Sequence, residues 1–325
     1  MVSRSPIDLV PGRDYPRDWN QFLDWFPDEE SCLSFLEQLR WPDGFVCPRC
    51  NARQEPYRSS RGRLMCGACR YQCTVTAGSV FDKTRTPLRT WLAAAWYVTN
   101  QKIGVSALGL QRVLGLGSYQ TAWAMLHRFR RAMVRPGRER LAGKVEVDET
   151  YVRIFDPNKL LKGAKRRGRA ANTLIAIAVE VLEPKGFGRV RLKRVVEGSE
   201  EYLLPFVRET VQPGARVHTD GSPAYRSLSK HNYAHEKAVH LGADDPAHVT
   251  MPGVHRVASL LKRWLIGTHQ GAIQSKQLDY YLDEFAFRFN RRTSRSRGLL
   301  FYRLLEQAVI TQPVTYEQIA APRGT

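Results

Sequence analysis

The chain has 325 residues, of which 43% are hydrophobic, as is typical of a soluble globular protein with one large core and smaller ones. It holds no unbroken run of the roughly eighteen apolar residues that a membrane span needs, which excludes an integral membrane protein. Its first residues lack an apolar stretch followed by a small-residue cleavage site, which argues against secretion. We therefore expect a cytoplasmic protein.

Positive charge dominates the composition, because 50 Lys and Arg residues oppose 31 Asp and Glu residues and give a formal net charge of +19. Such an excess is typical of proteins that bind a polyanion, although a merely soluble basic surface is the alternative. The charge is concentrated in residues 128–141, 159–169 and 287–297. This clustering favours nucleic acid as the partner.

Four cysteines follow an N-terminal extension, predicted over residues 1–27, and an amphipathic helix, predicted over residues 29–40. They form two Cys-x2-Cys pairs separated by fifteen residues, namely Cys47, Cys50, Cys66 and Cys69. This is the spacing of a zinc site in which two tight knuckles close a tetrahedron of thiolates around one ion. A cytoplasmic location disfavours a disulfide, and two knuckles at this spacing disfavour a redox pair.

The zinc ion is predicted to be structural, because four protein thiolates leave no coordination position open for water. We predict a zinc ribbon with its preceding helix over residues 28–78. Cys73 is either a spare thiol or a substitute ligand, and Cys32 is expected to be a small buried residue. Arginines around the knuckles predict contact with DNA: Arg49, Arg53, Arg58, Arg61, Arg63 and Arg70.

Residues 79–142 are predicted to form a helical segment. Ser106 can cap a helix that runs to Leu114, a glycine-containing turn follows, and Ser118 can cap a second helix that runs to Met133 with a basic end. The pattern is typical of a helix-turn-helix, whose second helix would read a major groove. An ordinary helical hairpin is the alternative.

An α/β pattern begins at residue 143 and is predicted to form one domain to residue 295. The predicted strands cover residues 144–154, 172–182, 188–196, 215–222 and 235–240, and the predicted helices cover residues 201–211, 223–228 and 254–266. Three strands, helix, strand, helix, strand, helix is the order of a ribonuclease-H-like α/β domain with a mixed sheet. Residues 296–325 are predicted to form a C-terminal helix and tail.

The segment of residues 156–171, between the first two predicted strands, is basic and mostly polar. As an insertion at a strand end, it could be an arm that contacts DNA. A solvated loop without function is the alternative.

Two aspartates are candidates for metal-dependent chemistry. Asp148 lies within the first predicted strand of this domain, and Asp220 lies where the fourth strand ends. If these strands are adjacent, both carboxylates can face one cleft and hold a pair of magnesium ions about 3.5–4 Å apart for an in-line phosphoryl displacement. An Asp at a strand end is also a common turn former. Glu146 and Glu149, which flank Asp148, are further candidates as metal ligands or supporting groups.

The resemblance to a known family is carried by the zinc ribbon together with the motifs VEVDETYV, VHTDGSPAY, SLLKRWLIGTHQG and YLDEFAFRFNRR. Over roughly residues 28–300 the chain resembles bacterial transposases that join an N-terminal zinc ribbon to a DDE-type catalytic domain, insertion-sequence family fifteen-ninety-five. The resemblance implies an enzyme that cuts double-stranded DNA at the terminal inverted repeats of its element. It also implies joining of the freed 3′ hydroxyl to target DNA, metal ligands at Asp148 and Asp220, and a dimer or larger assembly on DNA.

The DDE name stands for two aspartates and a glutamate, and at the third of these residues this sequence differs from the name. The resemblance places that residue, often Glu, about 35 positions after the second Asp, where this chain has His255. Members of this family often carry another residue there. Because hard divalent ions prefer oxygen and imidazole suits later transition metals, manganese would tolerate the histidine better than magnesium.

Lys262 matches a family feature, a lysine seven residues after the third position, and is expected to contact backbone phosphate. At about 100° per residue, a helix presents His255 and Lys262 on one side, and its other side carries Val257, Leu260, Leu261 and Trp264. The alternative is that His255 merely begins a helix and Lys262 is a solvated charge.

A further set, Glu284, Arg288 and Arg291, is spaced to share one face of a helix. The resemblance gives the arginines a role on DNA phosphates and the glutamate a supporting role near the active site. An intrahelical ion pair is the alternative. The nearby phenylalanines at 285, 287 and 289 are expected to be core residues.

The leading hypothesis is therefore a DNA transposase with structural zinc and catalytic magnesium or manganese. The second is a DNA-binding regulator with a zinc ribbon and an inactive transposase core. The histidine at position 255, in place of Glu, is the observation that favours this hypothesis. The third is a related nuclease that cuts DNA without joining it.

Overall fold

The computed structural model describes residues 9–59, 62–155, 170–238 and 250–321. Arg61 and most of the predicted arm at residues 156–171 lie outside the described residues. The chain divides into two compact units, one of Met1–Arg135 with Ser294–Gln318 and the other of Pro136–Thr293 with Ile319–Thr325. Within the described ranges, no helix is long and apolar enough to cross a lipid bilayer.

The helices and strands are numbered in chain order. The strands are β1 Tyr57–Arg58, β2 Leu64–Met65, β3 Gln72–Cys73, β4 Lys144–Phe155, β5 Ala170–Val181, β6 Phe187–Val195, β7 Arg216–Thr219 and β8 Ala234–Lys237. The α-helices are α1 Trp19–Trp25, α2 Glu29–Arg40, α3 Leu88–Asn100, α4 Ala107–Leu114, α5 Tyr119–Ala132, α6 Glu200–Thr210, α7 Pro252–His269, α8 Leu278–Phe289, α9 Arg297–Ala308 and α10 Tyr316–Ala320. Short 3-10 turns cover Pro223–Tyr225, Leu228–His231 and Ser275–Gln277.

Side-chain caps set the limits of the two helices predicted as a helix-turn-helix. The Ser106 hydroxyl accepts the N–H of Gly109 at 3.1 Å, and the Ser118 hydroxyl accepts the N–H of Thr121 at 3.1 Å. These bonds satisfy backbone donors that have no partner within the helix. Gly115 ends α4 in the left-handed region at φ 60°. Both predicted helices are confirmed, with a difference of one residue at the end of α5.

The first unit contains a small antiparallel sheet in the order β1-β2-β3 and a helical core. Phe301 of α9 lies among the rings of Phe22, Phe26 and Trp96, with centroid distances from 5.4 to 6.0 Å. A Cβ on Gly298 would lie 1.9 Å from the carbonyl oxygen of Pro16. Only glycine therefore lets α9 approach this backbone so closely.

The second unit is built on a five-stranded mixed sheet in the order β6-β5-β4-β7-β8. The pairs β4–β5 and β5–β6 are antiparallel, whereas β4–β7 and β7–β8 are parallel. This topology confirms the predicted mixed sheet of a ribonuclease-H-like domain. The predicted strand at residues 235–240 is shorter, because β8 ends at Lys237, and residues 239–240 lie outside the described residues.

Alternation along β4 produces two apolar cores. Val152 and Ile154 pack on one face with α7 and α8, and Val145 and Val147 pack on the other with α6. Successive residues of a strand point to opposite faces, so even-numbered β4 positions face α7 and odd-numbered positions face α6. Phe285, Phe287 and Phe289 of α8 are all buried, which confirms them as core residues.

Candidate functional site

The four predicted cysteine ligands lie together in the first unit. Their sulfur atoms are all within 4.8 Å of one another, with Sγ–Sγ distances of 3.7 Å for Cys47–Cys69 and Cys50–Cys66. A tetrahedron with Zn–S bonds of about 2.3 Å has edges of about 3.8 Å. The cluster therefore fits one zinc ion without rearrangement.

The two knuckles have equivalent backbone turns. The N–H of Asn51 donates to the carbonyl of Cys47 at 2.9 Å, and the N–H of Arg70 donates to the carbonyl of Cys66 at 3.0 Å. Asn51 and Arg70 both have φ 59°, in the left-handed region. Backbone N–H groups, that of Cys69 most strongly, lower the pKa of the Cys66 thiol to about 6. This favours the thiolate form, which binds metal.

The remaining cysteines are buried outside this cluster. Cys32 is 0% exposed, and burial raises the pKa of its thiol to about 12. Cys73 is 5% exposed in β3, where burial also raises its pKa. Cys32 is thus confirmed as a small buried residue, and Cys73 lies outside the group of four sulfurs that can share one ion.

The basic segments are not all available at the surface. Arg130, in the segment of residues 128–141, is 2% exposed, and Arg128 donates to the carbonyl of Val314 at 3.3 Å. Arg58, one of the arginines around the zinc knuckles, pairs with Glu37 at 2.6 Å. Arg130 is therefore buried, although it belongs to one of the basic runs that favour nucleic acid as the partner.

In the second unit, Asp148 lies in β4, and Asp220 directly follows β7, the strand that pairs with β4. The parallel pairing of β4 with β7 aligns Glu146 with His218, and each aspartate lies two positions after its residue of this pair. Asp220 follows the last residue of β7, at the carboxyl end where α/β sheets place their sites. Its Oδ1 accepts the N–H of Ser222 at 3.0 Å.

Burial and neighbouring charge control the ionisation of Asp148. Burial raises the pKa of its carboxyl, and the charge of Asp220 raises it further. The N–H of Glu149, which donates to Asp148 Oδ1 at 2.8 Å, and the imidazole of His255 act in the opposite direction. The three predicted active-site residues therefore interact electrostatically. Two half-buried carboxylates that repel each other favour a bound cation.

The donor set of Asp148, Asp220 and His255 suits a divalent ion, with oxygen ligands and one imidazole. Over the part of the chain that the structure describes, only the four cysteines bring three or more ligand atoms within 4.8 Å of one another. The two carboxylates and the imidazole do not form a closed cage. An ion held by all three thus requires side-chain rotation.

The glutamates that flank Asp148 form hydrogen bonds on opposite faces of β4. Glu149 Oε2 accepts the hydroxyl of Tyr225 at 2.7 Å, and Tyr225 is 0% exposed. Glu146 Oε2 accepts the N–H of Val254 at 2.9 Å. Burial raises the pKa of both carboxyls, and the hydrogen bonds from Tyr225 and Val254 oppose that rise. Sequence reasoning identified both residues without finding these partners, which come from distant parts of the chain.

Helix α7 carries the third predicted residue. Val257 and Leu261 are buried in the core, Lys262 is exposed, and His255 is half-buried near the charges of Asp148 and Glu146. The predicted division of the helix into a packing side and a polar side is confirmed. Sequence reasoning did not single out Arg256 and Arg263, which are exposed on the same helix at a spacing of seven.

Glu284 and Arg288 form a buried ion pair in α8. Arg288 Nη2 lies 2.7 Å from Glu284 Oε1, and the Glu284 side chain is 1% exposed. Arg291 instead stacks over the ring of Phe287, with its guanidinium carbon 4.1 Å from the centroid. The geometry thus favours the ion-pair interpretation of Glu284 with Arg288. Contact of Arg288 and Arg291 with DNA stays a prediction.

Comparison with known proteins agrees with this arrangement. Residues 140–290 match the ISXO2-like transposase domain, and residues 27–72 match the transposase zinc-ribbon domain. The chain is 30% identical over 287 residues to an uncharacterized protein in transposable element ISH50 of Halobacterium salinarum, a match that covers 84% of this chain and 94% of that protein. The chain therefore belongs to insertion-sequence family fifteen-ninety-five, transposases that carry a zinc ribbon before a DDE-type, ribonuclease-H-like domain.

Proposed function

We propose that this transposase cuts double-stranded DNA at the terminal inverted repeats of its element and transfers the freed 3′ hydroxyl into target DNA. The observation that supports it is the pairing of β4 with β7, which brings Asp148 into the electrostatic range of Asp220, with His255 completing the set. Two carboxylates at the carboxyl end of interior strands, with an imidazole nearby, suit metal-dependent phosphoryl transfer.

Asp148 and Asp220 would hold magnesium or manganese, and His255 occupies the third position. When bound, the ions supply activation of the attacking oxygen and stabilisation of the leaving oxygen. The carboxylates fix the site at the carboxyl end of β7, while the half-buried setting of Asp148 limits access of bulk water. The imidazole of His255 either binds an ion or orients water or phosphate beside it, and it suits manganese better than magnesium.

Several exposed cations support a DNA surface. On α7, Lys262 lies with Arg256 and Arg263 on the solvent side, and such side chains contact backbone phosphates in DNA-binding proteins. The first turn of α5 is exposed at Tyr119, Gln120 and Thr121, as expected for a helix whose N-terminal residues read a major groove. In the described part of the zinc ribbon, the exposed arginines are Arg49, Arg53, Arg58, Arg63 and Arg70.

A structural zinc ion in the ribbon and a dimer or larger assembly on DNA complete the proposal. The cysteine geometry supports the zinc ion, because the 3.7 Å sulfur distances match a tetrahedral site. The dimer follows from the two ends of an element, which two catalytic domains would cut together. We also propose the predicted domain limits of residues 28–78, 79–142 and 143–295.

The test uses the purified full-length protein and a labelled fragment that ends in the terminal repeat of the element. We expect Asp148→Asn and Asp220→Asn to reduce strand cleavage and joining below detection, because each removes a charged metal ligand. Binding of the labelled end is expected to stay within about twofold, since the charge that contacts phosphate is unchanged. Joining at the wild-type rate by either variant would rule out the assignment.

The same assay separates the other candidate functions. Nicking of the fragment without joined product would identify a nuclease. Binding of the end without cleavage in either magnesium or manganese would identify a regulator. The open arrangement of Asp148, Asp220 and His255 is the observation that keeps the regulator a candidate.

A further inference from the structure

A buried carboxylate joins the first strand of the second unit to the start of α7. Glu146 is 2% exposed, and its Oε2 accepts the N–H of Val254 at 2.9 Å. Glu146 and Asp148 are two residues apart on β4, so both side chains point to the same face of the sheet. The residue that meets α7 is thus the direct neighbour, on that face, of the first predicted metal ligand.

The contact depends on a glycine in α7. A Cβ on Gly253 would lie 2.7 Å from Glu146 Oε2 and 3.1 Å from two ring atoms of Phe187. Atoms this close to a Cβ must shift, so a larger residue here requires the Glu146 carboxylate or the start of the helix to move, and either movement weakens the contact between them. The reason for glycine here is close approach, because α7 has ordinary helical backbone at this position.

A carboxylate stabilises the beginning of a helix. The first N–H groups of a helix have no partner within it, and the helix dipole favours negative charge there. No side chain within α7 caps its first turn, so Glu146 supplies an acceptor from another element. His255 is the next residue after Val254, and its orientation follows that of this first turn.

We propose that Glu146 and Gly253 form a docking contact that holds the first turn of α7 against β4 and so positions His255 beside Asp148 and Asp220. The inference rests on the proposed function, since it assigns Glu146 to the transposition reaction. Glu146 is then a positioning residue, which acts through His255 and touches neither DNA nor metal. Gly253 provides the space that the contact needs.

The chain offers a matched control for this contact. Gly267 lies in the same helix on its exposed side, and a Cβ there would meet nothing within 4 Å. Gly253→Ala and Gly267→Ala therefore add the same methyl group to one helix, with and without a clash. Glu146→Ala removes the acceptor, whereas Glu146→Gln keeps a side-chain oxygen that can accept the N–H of Val254.

The first readout is amide hydrogen exchange at residues 253–256 of the full-length protein, without metal or DNA. We expect Gly253→Ala and Glu146→Ala to speed exchange at Val254 at least tenfold, because the N–H loses its acceptor. Gly267→Ala is expected to match the wild type, and Glu146→Gln to keep most of the protection. Thermal unfolding of each variant verifies that the second unit is folded; if Glu146→Ala does not fold, Gly253→Ala and Glu146→Gln carry the test.

The second readout is joining of the labelled terminal fragment, with end binding measured in parallel. Gly253→Ala is expected to lower joining at least tenfold while end binding stays within about twofold, and Glu146→Gln to restore most of the activity that Glu146→Ala loses. Joining and exchange by Gly253→Ala equal to those of Gly267→Ala would overturn the proposal. The proposal would also be overturned if Glu146→Gln kept Val254 protected from exchange but lost joining as fully as Asp148→Asn. That result would identify Glu146 as a metal ligand. Absence of joining by the wild type would instead refute the proposed function.

Discussion

Replacing Asp148 by Asn is expected to stabilise the metal-free protein at neutral pH while it removes catalysis. Burial and the charge of Asp220 raise the pKa of the Asp148 carboxyl above its usual value. Stability from the protonated carboxyl is fully present below the pKa of the unfolded chain and is lost as pH rises through the folded pKa. At neutral pH, the wild type therefore holds a half-buried carboxylate at a free-energy cost.

The size of the effect follows from the shape and hydrogen bonding of the side chain. Asn has the same shape as Asp, and its side-chain oxygen can still accept the N–H of Glu149, which lies 2.8 Å from Asp148 Oδ1. The charge is the main difference, and removing it also removes the cost of burying that charge beside Asp220. We expect Asp148→Asn to raise the free energy of unfolding at pH 7.5 within the usual range for a single substitution, about 0.5–3 kcal/mol, and the Tm by about 2–4 °C for each kcal/mol in a unit of this size.

The assay measures the Tm of the unfolding transition of the second unit between pH 4 and pH 8, with metal removed by a chelator. The proteins compared are the wild type, Asp148→Asn and a control, Glu197→Gln, which changes an exposed carboxylate. The gain should disappear toward pH 4, where the wild-type carboxyl is protonated. Adding manganese at about 100 times its Kd should stabilise the wild type by about 2.7 kcal/mol and the Asn variant far less, so the order of stability reverses. A gain independent of pH would show that the Asp148 charge does not cost stability, and equal stabilisation of both proteins by manganese would show that Asp148 does not bind the ion.

Three further predictions concern other parts of the molecule. We expect the wild type to hold one zinc ion per chain, Cys47→Ser to lose it and Cys73→Ser to keep it. The zinc released on thiol modification measures both variants, and loss of zinc by Cys73→Ser alone would contradict the assignment of the four ligands. Gly298→Ala should destabilise the first unit by about 1–3 kcal/mol, because its Cβ would lie 1.9 Å from a backbone carbonyl; an unchanged denaturation midpoint would show that α9 can shift freely. Lys262→Ala should weaken DNA binding at low salt and reduce the slope of log K against log salt by about 0.9; an unchanged slope would exclude a phosphate contact.

Local signals in the sequence were sufficient for most of the second unit. The alternation of apolar residues located β4 and β5, and the helical spacing of Val257 and Leu261 located the packing side of α7. In the first unit, the capping residues Ser106 and Ser118 fixed the starts of α4 and α5, because their side chains accept hydrogen bonds from N–H groups only three residues away. Such features can be read from one sequence because cause and effect lie within one element.

Contacts between distant segments could not be predicted in this way. Glu146 meets Val254, Tyr225 meets Glu149, and Phe301 of α9 meets Phe22 of α1. Each depends on topology that places residues far apart in the chain side by side. Arg130 is a related case, since a run of arginines on a helix indicates charge but not which of them is buried. The roles of Asp148 and His255 in catalysis remain predictions.

If Asp148, Asp220 and His255 act as one metal-dependent site, the choice of residue at position 255 should set the metal preference of joining. Joined product from the labelled terminal fragment is quantified in magnesium and in manganese for the wild type, His255→Glu and His255→Ala, with Asp220→Asn as the inactive reference. We expect the wild type to favour manganese, His255→Glu to shift the preference toward magnesium, and His255→Ala to lose at least tenfold in both. Joining by His255→Ala at the wild-type rate in both metals, with an unchanged preference in His255→Glu, would contradict the account.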